Sequence, residues 1–243
     1  MERDFLNLFA VKKPIIGMIH LKGDNDQQKF EIAKKEIEIM TTNGIDALLI
    51  ENYFGRVHNV EEVLEYLSFE KANLIYGVNI LGNYKYAFQL AEKYRAKFIQ
   101  VDSVAGHLPS YEDELFEVDI NKLRKETDAF LIGGVRFKYQ PVYGVSLEED
   151  LKKAMTRCDA IVVTGSGTGI TTDLGKIKQF RDIVKAFPII VGAGLTLNNC
   201  EQQLSLADGG IIGSYLKEDH IDTGDLSEDN VKRIMSKVKT IRH

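Results

Sequence analysis

Two cysteines, four prolines and no tryptophan occur among 243 residues, and each scarcity excludes a class of protein. Cys158 and Cys200 are too few for a disulfide framework and too isolated for a CxxC zinc site, so both are expected as free thiols, buried or on a helix surface, in a reducing cytoplasm. With so little proline, and no Gly/Ser-rich or low-complexity tract, nothing marks a linker, and residues 1–243 read as a single domain. Long apolar runs are missing too. The opening "MERDFLNLFAVKKPIIGMIHL" has early acidic residues and no apolar stretch ending in small residues, so no secretory leader and no membrane span are expected. An excess of positive charge is absent: 31 Lys and Arg stand against 36 Asp and Glu, a net charge of -5. That balance argues against a nucleic-acid partner and for small-molecule ligands.

What is present is a repeated alternation. Apolar, β-rich runs occur at 14–21, 46–52, 73–81, 97–103, 129–137, 159–165, 188–194 and 209–216. Between them lie stretches with helical spacing, such as Phe30, Ala33, Ile37 and Met40, or Val231, Ile234, Met235 and Val238. Eight βα units in a chain of this length predict an α/β fold of the closed (β/α)8 TIM-barrel type, since an open doubly wound sheet, the alternative, more often has fewer strands. A short N-terminal capping helix over 2–9, with Phe5, Leu8 and Phe9 on one side, is expected to plug the bottom of the barrel.

Strands seven and eight both end in glycine and a small hydroxyl: "IIVGAGLT" and "GGIIGSYLK". In such barrels the ligand lies at the carboxyl ends of the strands, where the last two loops and a helix N-terminus cradle phosphate. Gly192, Gly194 and Thr196, with Gly213 and Ser214, are therefore the expected phosphate-binding residues, Thr196 or Asn198 capping the next helix. A Gly194→Val change is expected to abolish anion binding and leave the fold intact. A third cluster, "TGSGTGITTD" at 164–173, either adds donors from Ser166, Thr168 and Thr171 or forms a mobile lid. GxxxxGK[ST] is absent, which excludes a Walker ATPase.

Strand parity selects the inward polar groups. In "FIQVDS" Ile99 and Val101 must face the helices, so Gln100 and Asp102 point inward, and on strand five Arg136 and Lys138 share a face with Ile132. Strands one to three bring His20, Glu51, Asn52 and Asn79 to the same rim. Glu51, Asp102, Lys138 and His20 are the candidate catalytic residues, the carboxylates or His20 moving protons and Lys138 stabilising an oxyanion or forming a Schiff base. Asn52, Asn79, Arg136 and Ser166 are the candidate substrate contacts. Alternatively Glu51, Asp102 and His20 hold a divalent metal. His107 is a candidate second imidazole in a segment that folds over the site, and the acidic run at 112–119 reads as a solvated face or a helix start.

In combination these motifs resemble the BtpA/SgcQ family, which runs "IIGxxHL", "xxEN", "GVNxL", "GSG(V/L)T" and "ADGxIVGxxLK" where this chain has "IIGMIHL", "LIEN", "GVNIL", "GAGLT" and "ADGGIIGSYLK". The resemblance covers nearly the whole chain and implies a barrel of the ribulose-phosphate-binding kind. It brings no settled reaction, the family being tied to photosystem I biogenesis in cyanobacteria and to a sugar-related operon in enteric bacteria. The family's "DVHVKH" and "RVN" are replaced here by "GVRFKYQ" and "QVDS" around a retained Lys138. Phosphoribosylanthranilate isomerases resemble one another through a cysteine on strand one and an aspartate on strand five, near which this chain has His20 and Gly134. The function expected is that of a cytoplasmic enzyme of isomerase or lyase type acting on a small phosphorylated metabolite. The alternative is a non-catalytic assembly or regulatory protein that senses such a ligand. No cofactor is certain, a divalent metal is open, and so is association into a homo-oligomer.

Overall fold

A computed structural model describes residues 3–242. Eight parallel strands close into a barrel in sequence order: β1 (Ile15–Ile19), β2 (Ala47–Glu51), β3 (Tyr76–Asn79), β4 (Phe98–Ala105), β5 (Phe130–Val135), β6 (Ala160–Val163), β7 (Ile189–Val191) and β8 (Gly209–Ile212). The helices between and after them are α1 (Asp26–Thr42), α2 (Val57–Glu70), α3 (Tyr84–Lys93), α4 (Ser110–Lys125), α5 (Leu147–Arg157), α6 (Leu174–Val184), α7 (Cys200–Leu206) and α8 (Glu228–Thr240). The closed barrel, and not the open sheet, is what the alternation encodes.

Local chemistry starts the helices where the barrel needs them. Asn25, Asn83, Ser146, Asp173 and Ser227 each accept, through a side-chain oxygen, a backbone N–H of the following first turn, in α1, α3, α5, α6 and α8. Each such cap satisfies a donor that the helix cannot bond internally.

Two apolar layers follow from strand alternation. The inner one contains Ile16, Met18, Leu49, Phe98, Ile132, Val162, Ile190 and Ile211; the outer one joins the other strand faces, including Ile99 and Val101, to the helices. A Cβ on Gly77 would overlap the Phe98 ring, so glycine on β3 is what lets that ring fill the barrel. Below it sits the plug, a single 3-10 turn at Phe5–Leu8 where a longer helix was expected. Fully buried Phe5 meets Phe98 edge-on at 5.7 Å and Phe130 at 6.2 Å. Glu2, within the expected helix, lies outside the described residues.

Charged groups are also buried in the scaffold. The Arg157 guanidinium, with no exposed side-chain surface, holds the Asp113 carboxylate at 2.6 Å and the Val104 carbonyl at 2.9 Å, joining α5 to α4 and β4. Lys217, the last residue of the "ADGGIIGSYLK" run, pairs with buried Glu36 of α1 and so anchors the segment after β8. Cys158 and Cys200 are both free and buried. No helix among the described residues is long and apolar enough to cross a membrane.

Candidate active site

A cavity of about 360 Å³ opens at the carboxyl ends of the strands. Its walls take His20 from the end of β1, Glu51 from β2, Gln100 and Asp102 from β4, and Lys138 from the loop after β5. Gly192, Gly194 and Thr196 follow β7 on the opposite side, beside Gly213 and Ser214 after β8. The parity of β4 thus places Gln100 and Asp102 as the alternation requires.

Glu51 and Asp102 share one donor. The Asn79 amide nitrogen on β3 donates to Glu51 Oε2 at 2.6 Å and to Asp102 Oδ1 at 3.1 Å. Burial and the neighbouring Asp102 charge push the Glu51 carboxyl up to about 7, against the opposing effects of the Asn79 hydrogen bond and of Lys138. Burial also raises Asp102, with the Asn79 and Gln100 amides and Lys138 acting the other way. His20 is pushed down to about 3 by burial first and then by the charges of Lys217 and Lys138, so its imidazole is neutral at pH 7. Neutral His20 is a hydrogen-bonding group rather than an acid, and its Nδ1 has no protein partner. Lys138 influences all three titrating groups and donates from Nζ to Thr168 Oγ1 at 3.0 Å, in the loop after β6.

The glycine-ended loops have their own logic. Gly194 has φ +67, and a Cβ on it would overlap the Ile170 carbonyl, so the loop after β7 packs directly against the loop after β6. That corrects the expectation for Gly194→Val: such a side chain displaces the 165–172 loop before any ligand is involved. A Cβ on Gly213 would stand 2.9 Å from His20 Cε1, so glycine there leaves room for the imidazole. Among the described residues no backbone acceptor meets the N–H groups of Gly194 and Leu195. The Thr196 N–H is taken, at 2.8 Å, by Asn199 Oδ1. Asn199, not Asn198, therefore braces the start of the turn leading into α7, and the amide of Thr196, a residue of the cavity wall, is already used.

Several expected contacts lie elsewhere. Arg136, at φ +46, breaks the alternation of β5: its Nε donates to Asp150 Oδ2 of α5 at 2.9 Å, outside the cavity, while Phe137 turns in to the inner core. Lys138 still reaches the cavity, through this kink and not through the parity assumed for it. A Cβ on Gly134 would overlap the Asp102 carbonyl, so β5 has no room there for an aspartate. The Asn52 amide oxygen accepts the Leu81 N–H at 2.8 Å and braces a loop, and Ser166 is exposed; neither lines the cavity. His107 is half-buried edge-on against Phe116 at 5.2 Å and away from the walls. Among the described residues no three His, Cys, Asp or Glu side chains converge on a metal-holding position. His20 lies instead against Tyr53, 5.0 Å between ring centroids, and does not converge with Glu51 and Asp102 into a three-ligand group.

Aromatic residues in the wall were missed. Tyr53, Tyr139, Tyr215 and His220 all line it. Tyr215 and His220 stack at 4.4 Å and 10°, and the Tyr139 hydroxyl accepts the Thr168 N–H at 2.9 Å, pinning the loop that also takes Lys138. Their signal was position: Tyr53, Tyr139 and Tyr215 each stand within a few residues of a strand's carboxyl end, where side chains face the ligand side.

Comparison with known proteins agrees with this architecture. A protein described as thiamine phosphate pyrophosphorylase from Pyrococcus furiosus superposes with a TM-score of 0.64 at 12% identity, covering 95% of this chain and 97% of that one, a likeness of fold. An uncharacterized protein of Methanocaldococcus jannaschii is 30% identical over 93% of this chain and 95% of its own length. The photosystem I biogenesis protein BtpA of Synechocystis is 25% identical over 88% of this chain and 84% of its own length. The BtpA family model matches residues 11–240, and the chain belongs to the BtpA family.

Proposed function

We propose that this chain is a cytoplasmic, single-domain barrel enzyme that moves a proton on a small phosphorylated metabolite, in an isomerase or lyase reaction. The observation that carries this reading is the position of Glu51: a buried carboxyl held near 7, in one cavity with the glycine-ended loops after β7 and β8. A group that exchanges its proton at neutral pH is suited to general acid and base work, because both forms are populated. The N–H groups of Gly194 and Leu195, with the Thr196 and Ser214 hydroxyls, supply donors for a phosphate at one end. At the other, Glu51 takes or gives the proton, and the Asp102 carboxylate keeps the Glu51 proton affinity high. The Lys138 ammonium stabilises the anion that proton removal leaves on the substrate. Thiamine phosphate pyrophosphorylase, one of the barrels of the same fold, has a phosphorylated compound in its name, which accords with a phosphate cradle.

A second reading is a ligand-sensing assembly protein. It is favoured by the relative named for photosystem I biogenesis. A sensor needs the cradle but not the carboxyl pair. The two readings separate in a thermal-shift screen of sugar phosphates and nucleotides, followed by a turnover assay on each ligand that binds. The enzyme reading expects a ligand that is chemically changed by the parent and about a hundredfold more slowly by Glu51→Gln. A ligand that binds parent and variant alike and is recovered unchanged from both supports the sensor.

A further inference from the structure

The outer surface carries an apolar stripe that the barrel does not use. Helix α4 turns Asp113, Phe116 and Ile120 inward, where all three are buried. At 3.6 residues per turn, Tyr111, Leu115 and Val118 fall on the roughly opposite face. They are 72%, 56% and 72% exposed. The loop after β5 adds exposed apolar residues near the start of α4: the Tyr143 N–H donates to the Gly106 carbonyl at 2.8 Å, tying Val142, Tyr143 and Val145, all exposed, to the segment that leads into α4. A run of large apolar side chains on one side of a folded chain marks an interaction surface.

Charge specifies what covers it. The exposed residues flanking the stripe are acidic in the first half of α4, Glu112 and Glu114, and basic in the second, Lys122 and Lys125. A helix charged in this way is complementary to itself only when reversed. With a two-fold axis at Val118, Glu114 faces Lys122 of the partner subunit, Tyr111 faces Lys125 of the partner subunit, and the two Val118 side chains meet. The helix dipoles then also oppose one another. A parallel arrangement would set acid against acid. The acidic half likewise disfavours an anionic lipid surface. We propose that α4 and the 142–145 loop form the isologous interface of a homodimer of this chain, with α4 packed antiparallel on α4 of a second copy.

Light scattering and sedimentation equilibrium of the full chain, from micromolar to near-millimolar concentration, test this. The parent is expected to show twice the 27.4 kDa chain mass. Leu115→Glu and Val118→Glu are expected to give monomers with an unchanged far-UV spectrum, since both side chains are exposed. Glu114→Lys and Lys122→Glu should each weaken the dimer about tenfold or more, and the double exchange should restore it, a rescue that only a self-paired, reversed helix produces. A parent that stays monomeric throughout, a dimer indifferent to the Leu115 and Val118 changes, or a double exchange no tighter than either single one overturns the proposal.

Discussion

Glu51 and Asp102 lie two strands apart, on β2 and β4, yet accept hydrogen bonds from the same nitrogen of Asn79 at 2.6 and 3.1 Å. One amide between a buried and a partly buried carboxyl bonds to both but cannot neutralise either. Burial and the neighbouring Asp102 charge outweigh the Asn79 hydrogen bond and push Glu51 up to about 7. Between the ordinary glutamate range and pH 7 the folded chain binds more protons than the unfolded one, so this residue makes stability fall as pH rises through that window. Above it the loss is complete.

Glu51→Gln removes that loss. The variant is expected to match the parent near pH 4.5 and to exceed it at pH 8 by about 1–3 kcal/mol, read as a Tm higher by about 3–8 °C. Thermal unfolding of both proteins across this range checks it. Equal stability of the two at pH 8 would mean that Glu51 titrates like a solvated glutamate.

Lys217 and Glu36 form a buried pair joining the segment after β8 to α1, with side chains 1% and 5% exposed. Lys217→Met alone leaves Glu36 charged and buried, and is expected to cost about 3–5 kcal/mol. Adding Glu36→Leu removes the stranded charge and should recover most of that loss. Chemical denaturation of the two variants measures the difference, and a double variant as unstable as the single one would contradict the account.

The scaffold and the walls of the site were legible in the sequence to different depths. All eight strands are readable because each is a short apolar run bounded by polar, helix-starting residues. Gln100 and Asp102 are placed correctly because β4 keeps its alternation up to Asp102, the pairing with β5 shifting only beyond Val101. Parity fails on the fifth strand, because Arg136 adopts a positive φ that no local pattern announces, and its charge is met by Asp150, fourteen positions along the chain. The same limit applies to Asn52 and Thr196: both are polar and sit at strand ends, but their bonds to Leu81 and Asn199 arise from loop packing. Lys217 could be read as a motif residue but not as half of an ion pair, because Glu36 is remote in sequence.

Two substitutions separate the proposed cradle from its supports. Gly194→Ala forces a Cβ against the Ile170 carbonyl at a φ of +67. It is expected to cost about 1–3 kcal/mol and to speed amide exchange across 165–172. Arg136→Gln should leave anion affinity within about twofold of the parent, because the guanidinium is bound to Asp150 and not to the cavity. A tenfold loss of anion affinity in Arg136→Gln, measured by calorimetric titration, would return Arg136 to the list of ligand contacts.

The central claim is that one cavity holds both an anion cradle and a proton-exchanging carboxyl. Inorganic phosphate titrated into the isotopically labelled chain, followed by backbone amide and glutamate carboxyl NMR, tests both halves at once. The account predicts saturable shifts confined to 192–196 and 213–215, together with a rise in the Glu51 midpoint from about 7 as an anion enters its cavity. Phosphate shifts that scatter over the surface, or a Glu51 midpoint in the ordinary carboxylate range that phosphate does not move, would contradict it.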